Sequence, residues 1–206
     1  MKVLLINGSP HEKGCTYTAL SIIAGELKAQ GIETEILHVG GQPVGGCIGC
    51  GGCRSGNGCV FGGVVNEAIE KAKTADAFVF GSPVHYASAA GNMASFMDRL
   101  AYAGGKYLAY KPAAVCCSAR RAGTTSTLDQ LVKYPQFFHM PLVNGSYWAM
   151  VHGSNPEQVL QDAEGCAVMQ ELGRNMAWLL RCIEAGKAAG IDHPQNPPRP
   201  MTNFIR

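Results

Sequence analysis

Four cysteines fall within thirteen residues in the stretch "CIGCGGCRSGNGC", where Cys47, Cys50, Cys53 and Cys59 have the spacing C-x2-C-x2-C-x5-C. Thiolates at this density have three uses: they can ligate an iron–sulfur cluster, hold a zinc ion, or stand as exposed redox thiols. Two-residue gaps let consecutive thiolates wrap separate corners of a cubane, and the spacing is close to the C-x2-C-x2-C-x3-C run that binds such clusters. Gly49, Gly51, Gly52, Gly56 and Gly58 permit positive φ and bring backbone N–H groups close to cluster sulfides. Zinc fits the spacing less well, because its sites usually split into two separated pairs of ligands. A glycine-rich surface loop whose thiols bind nothing stays open beside the cluster.

Three other stretches carry polar chemistry. "NGSPHEKGCTYTAL" lacks both G-x-G-x-x-G and G-x-x-x-x-G-K-[ST], which argues against a dinucleotide fingerprint and a Walker loop. It can still receive a phosphate at a helix N-terminus, with Ser9, Thr16 and Thr18 adding hydroxyl donors; alternatively these residues only cap the helix. In "GSPVHYASAAGNM", Pro83 fixes the chain and the backbone of Val84 to Tyr86 can lie along a planar ring, covered by His85 or Tyr86. "SARRAGTT" adds two arginines, a glycine and two threonines.

The elements that must position these stretches follow from periodicity. "KVLLING" is an apolar β-rich run, and "TYTALSIIAGELKAQG" puts Ala19, Leu20, Ile23, Ala24 and Leu27 on one helical face. "IETEILHV" alternates as a second strand, "VVNEAIEKAKTAD" reads as a helix, and "AFVFGSP" is an uninterrupted apolar strand suited to cover on both faces. Helix "GNMASFMDRLAYAG", strand "PAAVCCSA", a helix ending near Pro135 and a last strand within "MPLVNGSYWAMVHG" complete the pattern. Asn155, Pro156 and Glu157 supply an N-cap, N1 proline and N2 acid for one long helix through Cys182 to Lys187. Alternating β and α elements predict a doubly wound parallel sheet with helices on both faces. In such sheets ligands bind beyond the carboxyl ends of the strands, where all three polar stretches fall. Residues 1–190 read as one domain, and 191–206, with four prolines in "HPQNPPRP", as a tail extended over the surface or onto a partner.

Composition excludes several classes. The 206 residues are 47% hydrophobic, ample for one core, and the formal charge of +2 comes from scattered lysines and arginines rather than a basic patch. Nucleic acid is therefore not an expected partner, nor is a membrane, since about 18 consecutive apolar residues occur nowhere. A cytoplasmic setting follows from the lack of a signal segment and the odd count of nine cysteines. Cys116 and Cys117 read as packing in a buried strand, Cys166 and Cys182 as packing on the last helix, and Trp148 and Trp178 as core or interface anchors.

"GSPHEKGCTYTAL", "FGSPVHYASAAGNMASFMDRL" and "SARRAGTTSTLDQL" resemble the flavodoxin-like NAD(P)H-dependent FMN reductases, and the cysteine loop resembles their iron–sulfur flavoprotein subgroup. The likeness runs from Met1 to about Lys187. It implies an α/β, flavodoxin-like, five-stranded parallel sheet of order 2-1-3-4-5, FMN at its edge, and a homodimer or homotetramer. Carried over by position, it puts Ser9, His11, Cys15, Thr16, Tyr17 and Thr18 at the FMN phosphate, with His11 in place of a frequent basic residue. It puts Pro83, Val84, His85 and Tyr86 at the isoalloxazine, and Ser118, Arg120, Gly123 and Thr124 beside the ring and ribityl chain. The resemblance implies hydride transfer from NADH or NADPH through flavin N5 to free flavin, a quinone or another small electron acceptor. No catalytic base is then required, and Asp98 and Arg99 support the site or the subunit interface. The alternative is a relay in which a 4Fe-4S cluster on Cys47, Cys50, Cys53 and Cys59 exchanges electrons with FMN, fed by a ferredoxin-like donor. A flavodoxin-like or zinc-stabilised binding module without turnover is the third reading.

Overall fold

The computed structural model describes residues 1–198 and 200–202. Strand β1 (Lys2–Asn7) is buried from Val3 onward and lies between β2 (Glu33–His38) and β3 (Ala77–His85), both parallel to it. Next to β3 run β5 (Ala113–Ala119) and then β6 (Met150–His152), also parallel. The expected five-stranded parallel path is present, but the expected strand count is corrected. A two-residue strand β4 (Ser88–Ala89) pairs antiparallel with the end of β3, so the sheet has six strands and the parallel order is β2-β1-β3-β5-β6.

Alternation along the strands divides the core in two. Val3, Leu5, Val79, Ala114, Cys116 and Val151 face α1 (Cys15–Ala29) and α6 (Ala163–Ala188). Leu4, Ile6, Phe78 and Phe80 face α2 (Val64–Thr74) and α3 (Gly91–Gly104), joined by Leu131 of α4 (Thr124–Phe137). Leu20, Ile23 and Leu27 of α1 are fully buried, each contributing about 1.5–3 kcal/mol of transfer free energy. Covering both faces leaves the carboxyl edge of the strands as the place where loops meet.

Two sequence expectations change. The long helix expected from Asn155 to Lys187 is broken: Asn155 caps only a short α5 (Pro156–Val159), and a second start follows at Asp162. One Asp162 oxygen accepts the Gly165 N–H of α6 while the other accepts the His152 N–H of β6, so the break ties the last helix to the edge strand. Cys182 is exposed rather than packed, and both tryptophans lie outside the core on the exposed surface, which leaves only the interface half of their expected role. Among the described tail residues, His193 stacks on Tyr110 with centroids 4.3 Å apart, and Asn196 donates to the Tyr110 hydroxyl. The remaining tail residues of that expectation, 199 and 203–206, lie outside the described ones.

Candidate functional site

The β1–α1 loop is braced from within. Asn7 is fully buried; its side-chain Oδ1 accepts the Ser9 N–H and its side-chain Nδ2 donates to the Glu12 carbonyl. The Ser9 hydroxyl accepts the His11 N–H, and His38 of β2 reaches the Ser9 carbonyl at 2.7 Å. Gly40 packs so closely on the Ser9 carbonyl that any side chain there would collide with it. These bonds take one acceptor position of the Ser9 hydroxyl, leave its O–H to donate, and shape a rigid turn before α1. No side chain caps α1; its N-cap is Gly14, and its first turn holds no acidic residue. The capping alternative therefore does not describe this loop, and the helix presents its N–H groups and partial positive charge to the carboxyl edge. Thr18 donates its hydroxyl back to the Gly14 carbonyl, Tyr17 is half-buried, and His11 is exposed. Cys15 donates its thiol to the Gly153 carbonyl, which brings the β6–α5 loop against the start of α1.

Thr16 is buried, and its hydroxyl lies 2.8 Å from that of Ser118 at the end of β5, also buried. This bond joins the first turn of α1 to the end of β5, where the β5–α4 loop begins, across 102 residues of sequence. Beside it, Pro83 and Val84 are half-buried, while His85 and Tyr86 are exposed at the tip of the β3–β4 hairpin. Tyr86 and Ala87 form its two-residue turn with φ of 51° and 57°, a left-handed geometry that normally selects Asn-Gly. Gln130 of α4 holds the hairpin by accepting both the Ser88 hydroxyl and the Ala89 N–H. Gly123, at φ 89°, packs where a Cβ would come within 2.7 Å of Ala87, so the β5–α4 loop and the hairpin are in direct contact. Thr124 is buried, whereas Arg120 is exposed.

The cysteine loop leaves the same sheet edge after β2 and returns at α2. Asn92 of α3 holds its start through the Gly40 and Gln42 carbonyls and the Val44 N–H, and Asn66 of α2 holds its end through both backbone groups of Cys59. Gly49, Gly51, Gly56 and Gly58 all have positive φ, the conformation for which glycine is needed. Cys47 and Cys50 are exposed, and Cys53 and Cys59 half-buried. No three His, Cys, Asp or Glu side chains among the described residues converge as a ready metal site. The donor set nonetheless suits soft-metal chemistry, four thiols on a backbone with little steric restraint. A cleft of about 470 Å³ lined by Pro10, Glu12, His38 and Gln42 lies between this loop and the β1–α1 loop.

Sequence reasoning placed the three loops at one edge, and the structure brings them together through Thr16, Ser118 and Gly123. It missed Asn7, Asn66, Asn92 and Gln130, whose side chains hold loop backbones. Only Asn7 carried a local signal, as the residue before a glycine at a strand end.

This sheet order and the loops gathered at its carboxyl edge define a flavodoxin-like α/β protein. Residues 1–155 match the model of the family described as NADPH-dependent FMN reductase, and the chain belongs to that family. It is a flavin-dependent oxidoreductase by that membership. The chain is 28% identical over 192 residues to an iron-sulfur flavoprotein of Methanocaldococcus jannaschii, covering 89% of this chain and 100% of that one. An iron-sulfur flavoprotein of Archaeoglobus fulgidus is 36% identical over 99 residues, 48% of each chain. Among solved structures, RosB with a bound intermediate, 8-demethyl-8-formylriboflavin-5'-phosphate, superposes with a TM-score of 0.70 at 14% identity, over 100% of this chain and 96% of that one. No helix among the described residues is long and apolar enough to cross a membrane.

Proposed function

We propose that the protein is an FMN-dependent oxidoreductase that takes hydride from NADH or NADPH and passes electrons to free flavin, a quinone or another small acceptor. The observation that carries this reading is the meeting of a helix N-terminus without a side-chain cap, the tight β3–β4 hairpin and the β5–α4 loop, locked by the Thr16–Ser118 bond. FMN, when bound, supplies the hydride and single-electron chemistry. The N–H groups at the start of α1, with Ser9, Cys15, Thr16, Tyr17 and Thr18, hold its phosphate. The backbone of Pro83 to Tyr86 flanks the ring, and Ser118, Arg120, Gly123 and Thr124 lie beside the ring and ribityl chain. Exposure of His85 and Tyr86 leaves one side open to a nicotinamide and then to the acceptor. Assembly as a homodimer or homotetramer would complete the open side.

The second reading adds a 4Fe-4S cluster held by Cys47, Cys50, Cys53 and Cys59, which makes the protein an electron relay. It is favoured by a thiol loop pinned at both ends to α2 and α3 on the same edge as the FMN loops. Anaerobic purification with FMN, iron and acid-labile sulfide determined on one sample tests both. FMN with negligible iron, and flavin bleached by a nicotinamide alone, supports the reductase. About four iron and four sulfide per chain beside FMN supports the relay. Absence of FMN binding in a titration refutes both.

A further inference from the structure

Arg99 lies in the middle of α3 with only 6% of its surface exposed. A buried guanidinium is strongly unfavourable unless opposite charge and full hydrogen bonding offset its lost hydration. Among the described residues Arg99 takes part in no ion pair, and the neighbouring Asp98 is engaged with the Tyr134 hydroxyl. Its three nitrogens are spent elsewhere. Nε donates to the Cys59 sulfur at 3.2 Å, Nη1 to the Gly45 carbonyl at 3.4 Å, and Nη2 to the Gly62 carbonyl at 3.0 Å. The ring of Phe61 lies 5.5 Å from the guanidinium carbon. Gly45 precedes Cys47, and Gly62 follows Cys59, so one side chain closes the segment that contains all four thiols. The planar fork of an arginine, with donors set apart on one rigid plane, suits three partners placed like these. The cation has two neutral carbonyls and one sulfur for company, and the sulfur is the one partner that can carry a full negative charge.

Resting on the cluster reading above, we propose that Arg99 is the positioning residue of the cysteine site. It draws the two ends of the loop together, and its charge offsets that of an iron–sulfur cluster bound through Cys59. A positive group donating N–H to a ligand sulfur also favours the more negative, reduced state of a cluster and raises its potential.

The test compares wild type, Arg99→Gln and Arg99→Lys after anaerobic reconstitution with ferrous iron and sulfide. FMN, iron and sulfide content, release of iron to a chelator, and the cluster potential are measured on each. Arg99→Gln is expected to bind FMN as wild type does, to lose iron faster, and to show a lower potential. Arg99→Lys keeps the charge without the fork, so its potential returns towards wild type while its iron remains labile. Equal iron retention and equal potential in wild type and Arg99→Gln would overturn the assignment. A purely structural clamp would change retention and leave the potential unmoved, which also overturns the electrostatic role. Wild-type protein that binds FMN but takes up no iron removes the cluster reading and this inference with it. An independent check separates Arg99 from Arg54 of the loop: with arginine labelled by 15N, pulsed EPR of the reduced cluster should detect a weakly coupled guanidinium nitrogen in wild type that is missing in Arg99→Lys. No coupling would sink the proposal.

Discussion

Replacing Tyr86 by glycine should make the protein more stable and a poorer flavoenzyme. Tyr86 sits at φ 51° and is fully exposed, so its side chain loses no packing when removed. Left-handed geometry costs an L-residue roughly 1–2 kcal/mol, and the extra freedom of glycine in the unfolded chain takes back about 0.5–1 kcal/mol. The net gain is about 0–1.5 kcal/mol, a rise in Tm of up to roughly 6 °C for a chain of this length. Urea unfolding of the apoprotein measures the first quantity, and quenching of flavin fluorescence the second. One aromatic contact on the ring is worth about 0.5–1.5 kcal/mol, so the FMN Kd should rise roughly 2- to 12-fold. A less stable Tyr86→Gly protein would refute the strain argument. A more stable one with unchanged FMN affinity and unchanged kcat/KM for the nicotinamide would remove Tyr86 from the site.

Other perturbations follow from the same geometry. Thr16→Val leaves the Ser118 hydroxyl buried without its partner and should cost about 1–3 kcal/mol, most of which returns in the Thr16→Val/Ser118→Ala double variant; additive losses in urea unfolding would show that the two loops are not tied here. Burial pushes the Cys116 thiol up and that of Cys117 to about 12, from an ordinary 9.0. Both stay protonated in the folded protein while the unfolded chain ionises, so their contribution is intact below pH 9 and is lost as pH rises from 9 towards 12. The slope is about 1.4 kcal/mol per pH unit for each thiol, and Cys116→Ala should flatten it in alkaline unfolding curves.

Much of the fold was legible because it rests on local pattern. The apolar runs of β1, β3 and β5 and the spaced apolar residues of α1 declare themselves within a few turns or residues. The β4 hairpin was hidden because its strand is two residues long and its turn carries Tyr-Ala where sequence rules look for glycine or asparagine. The break before α6 was hidden because Asn155 and Asp162 both have capping side chains, and the choice between one helix and two depends on the His152 N–H, which only the folded sheet brings near. Candidate site residues were found by type and position, yet the hydroxyl of Thr16 turns to Ser118 and that of Thr18 to Gly14. Such pairings join residues that are distant in sequence or share a helix turn, and no spacing rule reports them.

The segment from Gly40 to Gly63 hangs outside both hydrophobic clusters, touching one of them only through Val44 and Cys59. Its anchors are a handful of polar side chains on two helices that are needed for the sheet in any case. Its exposed thiols, Cys47 and Cys50, can therefore be altered or deleted at little cost to the folding of the chain, whereas Cys59 is tied to Arg99. In the relay proposed above, the redox wiring is a detachable module, and descent with change could rewire the electron path while the sheet and its helices stay constant.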